Sequence, residues 1–150
     1  MVFIRISAKG RYALAAAIEI ARQSKAGEGF VPTASISKTL GISKIFLEQA
    51  LASLKNGGVA VSAKGSSGGY RLAKEPHTIS AWDILCNTES ALIETAETTT
   101  ESPTIEAALR QLVFDKLDSG IRAILSGISL DELLEFSQSN NDSQSFMLNI

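Results

Sequence analysis

Residues 44–72, KIFLEQALASLKNGGVAVSAKGSSGGYRL, change their apolar period from helical to extended across a single Gly-Gly step, and few folds accommodate that join. Leu47, Ala50, Leu51 and Leu54 fall at i, i+3, i+4 and i+7, one face of a helix that Ser43 can cap and Gly57-Gly58 closes. VAVSA then alternates as a strand does, KGSSGG is a turn-rich tip, and YRLA alternates again. Upstream, Pro32 and Thr33 suit the start of a helix through TASISKTL, and Gly41 follows where a left-handed turn residue is wanted. Two short helices about a Gly-containing turn form a helix-turn-helix pattern, which any helical hairpin can imitate. The basic-tipped hairpin directly behind the second helix narrows the choice. A winged helix-turn-helix is expected, and with it nucleic-acid binding.

The run SAKGRYALAAAIEIARQSK reads as a first helix capped by Ser7, with Tyr12, Ala15, Ala16, Ile18 and Ile20 as its buried stripe. AGEG, with Gly27 and Gly29, ends it. Charge follows the same division of the chain. Residues 1–80 carry 11 Lys/Arg against 4 Asp/Glu, whereas residues 81–150 carry 3 against 12. A basic half joined to an acidic half suggests that the first meets a polyanion and the second does something else.

SAKGRYALAAAIEIA and GISKIFLEQALASLKNGGVAVSAKGSSGGYRLAKEPHTISAWDIL resemble the Rrf2 family of bacterial winged-helix transcription regulators. The resemblance covers residues 3–88 closely and the remainder loosely. Its most specific pieces are Lys9-Gly10-Arg11-Tyr12, Leu47-Glu48-Gln49 and Gly68-Gly69-Tyr70-Arg71-Leu72. It implies a homodimer on an imperfect palindrome in double-stranded DNA, with the third helix in the major groove and the wing in the minor groove. Ser43 and Lys44 would then stand at a helix N-terminus that can approach phosphates. Gln49 has the donor and acceptor needed to read an adenine edge, and Glu48 can accept from a cytosine amino group. Lys9 and Arg11 open the first helix and would touch the backbone, while Arg71 either joins them or pairs near the wing base.

Two departures from the family pattern bear on DNA contact. Where relatives often carry Arg-Gly followed by Pro-Gly at the wing tip, this chain has Lys64-Gly65-Ser66-Ser67, so minor-groove readout is expected to be weaker. Phe46 stands where tyrosine is common, losing a hydroxyl.

The acidic half reads as a short helix from Ser80, with Trp82 and Leu85 turned inward, and a Thr/Glu-rich loop to Pro103. In TIEAALRQLVFDKLDSGIRAILSG, apolar residues from Ile105 to Ile128 recur at spacings of three and four, a stripe wide enough to need a partner surface. The family's long dimerisation helix meets that need, and Gly120 within it suggests close approach of another backbone. Ser129 and Glu132 have the spacing of a capping box that starts a last helix, LDELLEFSQ. The expected fold is mainly α with a small antiparallel β wing: a DNA-binding domain over residues 1–80, a short helix and loop over 81–103, a dimerisation helix and final helix over 104–137, and a flexible tail over 138–150.

Cluster-binding relatives supply three cysteines from the loop before the long helix. Residues 89–103 contain none, and the lone Cys86 reads as a small buried hydrophobe. No cofactor is expected, neither an iron–sulfur cluster nor zinc, for which the single histidine, His77, provides no ligand set. The chain closes with Met147-Leu148-Asn149-Ile150 after a Ser/Asn/Asp-rich stretch. In the family, cysteine-metabolism repressors lack cluster cysteines, end in an apolar tail finishing in isoleucine, and act with cysteine synthase, O-acetylserine (thiol)-lyase. The resemblance to that branch implies that the Ile150 carboxylate imitates the substrate carboxylate, with Leu148 and Ile150 against apolar walls. The alternative is a regulator that senses a small molecule directly, near Trp82. No acid–base pair, nucleophile–base set or phosphate loop points to an enzyme. With no apolar run near the ~18 residues of a membrane span and no h-region at the start, the protein is expected to be cytoplasmic.

Overall fold

Small side chains decide how closely the first and third helices approach. The computed structural model describes residues 6–24, 29–92 and 97–148, the side chains of 91 and 143–148 excepted. α1 (Ala8–Ser24) buries Ala13, Ala16, Ala17, Ile20 and Ala21, and α3 (Lys44–Asn56) answers with Leu47, Ala50, Leu51 and Leu54. The stripe on α1 is rotated from the expected one: Tyr12 and Ile18 only rest on the core's edge. Methyl groups on every side of an Ala-rich helix leave its buried face open until a partner selects it. α2 (Thr33–Leu40) contributes Ile36 and ends at Gly41, whose N–H donates to the Ser37 carbonyl at 2.9 Å.

Past Gly57-Gly58 the chain forms β1 (Ala60–Ala63) and β2 (Gly69–Leu72), paired antiparallel with Val61 opposite Arg71 and Ser62 opposite Tyr70. Val31, just before α2, bonds to the far side of β2 through Val31 N–H to Tyr70 O at 2.7 Å and Tyr70 N–H to Val31 O at 2.9 Å. That contact requires a glycine next door. Gly69 has φ of +138°, and a Cβ there would lie 2.1 Å from the Val31 carbonyl oxygen.

α4 (Ala81–Leu85) and α7 (Leu130–Leu148) both open with reciprocal caps. Asp83 N–H donates to Ser80 Oγ at 3.1 Å and Ser80 N–H to Asp83 Oδ2 at 2.9 Å. Glu132 N–H donates to Ser129 Oγ at 3.1 Å and Ser129 N–H to Glu132 Oε2 at 2.8 Å, as its spacing indicated. The two starts are stitched side by side by Ala81 N–H to Ile128 O and Leu130 N–H to Ile79 O. Leu130 and Leu134 thereby enter the same core as α1 and α3, as does Ile84 of α4. The boundary at residue 80 therefore does not divide the hydrophobic core.

Between these caps, α5 (Pro103–Leu109), a π-helical turn (Arg110–Phe114) and α6 (Asp115–Ser126) follow one another without a break. A single regular helix was expected, and the π turn interrupts its i→i+4 ladder midway. The tail also differs from expectation. Instead of a flexible segment from residue 138, α7 continues to Leu148. No glycine or proline stands between Leu130 and Leu148, and Ser, Asn, Gln and Asp cost only several tenths of a kcal/mol each in a helix already started by its cap. No helix of the described residues is long and apolar enough to cross a membrane.

Candidate nucleic-acid interface

The α3 core stripe determines what the helix presents outward. With Leu47, Ala50, Leu51 and Leu54 inside, Lys44, Ile45, Phe46, Glu48 and Gln49 are all exposed. Ser43 caps the helix, its Oγ accepting weakly from the Phe46 N–H at 3.5 Å. The Phe46 ring lies 6.3 Å from that of Tyr12, which brings the first turns of α1 and α3 together. Lys9 and Arg11 stand exposed on that opening of α1. Among the described residues, Lys9, Arg11, Lys44 and Lys64 make no ion pair, so their charge is available to phosphates.

The wing tip is Lys64, Gly65, Ser66 and Ser67, all exposed, closed by Gly68 N–H to Gly65 O at 3.1 Å. Arg71 takes the wing-base alternative: its guanidinium sits 4.9 Å over the Phe30 ring. Ile45, not among the residues expected to contact DNA, is 70% exposed. The helical spacing of Leu47, Ala50, Leu51 and Leu54 is the signal for it, since Ile45 stands opposite that stripe.

Beneath α1, the Glu19 carboxylate is buried. Burial alone would raise its pKa, but hydrogen bonds from Arg22 and Gln23 and the Arg22 charge outweigh it and hold the carboxyl below its ordinary range. Gln23 in turn accepts from the Ser35 hydroxyl at 3.0 Å, tying α1 to the start of α2.

On the other side of the domain, Trp82 is half-buried with the Arg122 guanidinium 5.4 Å from its ring centroid, which couples α4 to α6. Gly57, Lys74, Trp82, Asp83, Cys86 and Asn87 line a cavity of about 260 Å³ there. Burial pushes the Cys86 thiol up, the Asp83 charge adds to that, and Arg122 only partly opposes it. Of the tail residues, Met147 and Leu148 fall in the last turn of the α7 backbone, while Asn149 and Ile150 lie outside the described residues.

Residues 6–135 match the family described as "Rrf2: Iron-dependent Transcriptional regulator". The HTH-type transcriptional regulator CymR of Bacillus subtilis is 32% identical over 145 residues, 97% of this chain and all of that protein. The HTH-type transcriptional regulator IscR of Aliivibrio salmonicida is 34% identical over 138 residues, 87% of this chain and 77% of that protein. The solved structure of CymR, described as the global cysteine regulator of B. subtilis, superposes with a TM-score of 0.71 at 34% identity, covering 89% of this chain and 98% of that one. The iron in the family's description finds no fitting donor set in the form of a cysteine-held cluster: such clusters usually take four protein ligands, and this chain has one cysteine. Among the described residues, no group of three or more His, Cys, Asp or Glu side chains is placed to hold a metal ion.

Proposed function

The chain belongs to the Rrf2 family of transcriptional regulators, and from that premise we propose that it is a homodimeric, sequence-specific DNA-binding repressor of cysteine and sulfur metabolism genes, acting in the cytoplasm. The observation that carries the DNA-binding reading is the outward face of α3. It is polar-edged, flanked by exposed cations, and leads through Gly57-Gly58 directly into a hairpin with Lys64 at its tip. Lys9, Arg11, Ser43, Lys44 and Lys64 position the backbone, with Gly65 turning the wing tip. Glu48 and Gln49 read base edges and Phe46 braces the helix on Tyr12.

The sulfur-metabolism reading is supported by a full-length relative whose solved structure is described as that of a global cysteine regulator, and by a chain without the cysteines a cluster needs. In this reading the C-terminal residues Met147, Leu148, Asn149 and Ile150 dock into cysteine synthase. α7 suits their delivery. Its first turns are anchored in the core by Leu130 and Leu134, and residues 135–142 are exposed beyond them. The test is binding of full-length protein, and of protein lacking Asn149-Ile150, to O-acetylserine (thiol)-lyase, with and without O-acetylserine. Binding that is lost on truncation and reversed by O-acetylserine upholds the reading; equal binding by both forms, or none, removes the tail from it.

The cavity beside Trp82 favours a second reading, direct sensing of a small molecule at the junction of the wing domain and α6. A compound that shifts DNA affinity in the absence of any enzyme would select it.

A further inference from the structure

We infer that Ile45 is a specificity-determining residue that reads the C5-methyl group of a thymine in each half-site; this deepens the DNA-binding reading above and rests on it. Each residue of an α-helix advances about 100°, so Ile45 projects roughly 170° from the centre of the stripe formed by Leu47, Ala50, Leu51 and Leu54. Ala52 falls within about 20° of it, with Gln49 and Glu48 about 40° and 60° to either side. Ile45 is thus the middle of the face that α3 offers to a groove, and the two hydrogen-bonding side chains are its borders.

A single exposed isoleucine would need no explanation. This one has a specific setting. Ile45 is 70% exposed and Phe46 55%, and they are the only large apolar side chains that α3 exposes. Both occur in the first turn, the part of a recognition helix that meets base edges. Phe46 is accounted for by Tyr12, whereas Ile45 is not among the side chains packed on the core. In the major groove the one apolar feature a base pair presents is the thymine C5-methyl, and branched or methyl-bearing side chains are its complement. Ala52, seven residues on, repeats the same chemistry on a smaller scale. Four residues of helix rise about 6 Å, so the thymine lies within about two base steps of the base addressed by Gln49.

Deoxyuridine replaces thymidine with loss of the methyl alone, leaving pairing and groove donors and acceptors as they were. The experiment selects duplexes from a random 30-base-pair pool with the full-length protein. It then replaces each thymine of the selected half-site singly with deoxyuridine and measures Kd at fixed salt for wild type, Ile45→Ala and Gln49→Ala. One position is expected to lose about four-fold in wild type, the effect of removing one buried methyl-sized contact. At that position Ile45→Ala is expected to be indifferent and Gln49→Ala to stay sensitive. Thermal unfolding of Ile45→Ala should match wild type, since the side chain is outside the core. No sensitive thymine, or sensitivity undiminished in Ile45→Ala, overturns the assignment while leaving DNA binding intact. A pool with no enriched duplex overturns the DNA-binding reading itself, and this assignment with it.

Discussion

Glu89 closes over the start of α1: its Oε1 accepts from the Ser7 backbone N–H at 2.9 Å and from the Ser7 hydroxyl at 2.6 Å. The Ser7 hydroxyl oxygen in turn accepts from the Gly10 N–H at 3.1 Å, so a carboxylate from beyond α4 completes the cap of the helix that carries Lys9 and Arg11. Gly10 makes room for it, since a Cβ there would lie 2.2 Å from that same Oε1. Glu89→Ala is expected to cost about 1 kcal/mol, a fall in Tm of about 3 °C. Glu89→Gln, which keeps an acceptor, should cost less. Gly10→Ala pushes the carboxylate aside, so the Gly10→Ala/Glu89→Ala pair should be less destabilising than the sum of its parts. Thermal unfolding of the four proteins in a double-mutant cycle checks this.

The wing is fastened at Gly69. Alanine there meets both an unfavourable φ of +138° and the Val31 carbonyl oxygen 2.1 Å away. Gly69→Ala should therefore break the Val31–Tyr70 pairing and cost about 2–3 kcal/mol, read by urea unfolding. If stability is unchanged, the pairing of β2 with residue 31 does not hold the wing.

Acid should act through Glu19. Its folded-state pKa is depressed, so its contribution is present above the unfolded carboxyl value near ~4.3 and is lost as pH falls through the folded value. Glu19→Gln should be about 1–2 kcal/mol less stable than wild type at pH 7. That gap should narrow as the pH falls below about 4. Urea denaturation of both proteins from pH 3 to 7 measures the gap, and a difference independent of pH would assign the effect to packing instead.

The proposed DNA contacts divide by what they would do. Lys64→Ala is expected to weaken binding to all duplexes alike and to reduce the salt slope by about 1. Gln49→Ala should leave the slope unchanged, cost about 1–3 kcal/mol on the preferred duplex, and relax the choice of base at one position. Kd titrations at several salt concentrations separate the two, and equal slope changes in both would place Gln49 on the backbone.

The parts of this structure legible in the sequence are those whose signal is local. Leu47, Ala50, Leu51 and Leu54 state their own face, and Ser129 with Glu132 states where a helix begins. The destination of that helix was not legible. A capping box locates a start but says nothing of the partner, and only the pairing of residues 79–81 with 128–130 sends Leu130 and Leu134 into the core of the first domain. Polar residues after Leu134 resembled a tether because they have nothing to bury, yet nothing among them stops a helix. Ile45 carries no hydrogen-bonding group to mark it as a base reader, although its place opposite the core stripe follows from the same spacing as that of its buried neighbours.

The acidic half also exposes an apolar face. Ile105, Leu112, Val113, Leu117 and Ile124, on α5, the π turn and α6, are between 44% and 66% exposed. A second copy of the chain laid along this face would remove them from water at about 25 cal/mol per Å² of apolar surface, the commonest route to a symmetric pair. An acidic substitution at its middle should undo that without touching the core. Leu117→Asp is expected to sediment as a monomer with an unchanged circular dichroism spectrum. It should also lose most affinity for a two-half-site duplex while keeping weak binding to a single half-site. Analytical ultracentrifugation and the two duplexes together decide it: a Leu117→Asp protein that remains dimeric would move the interface off this face.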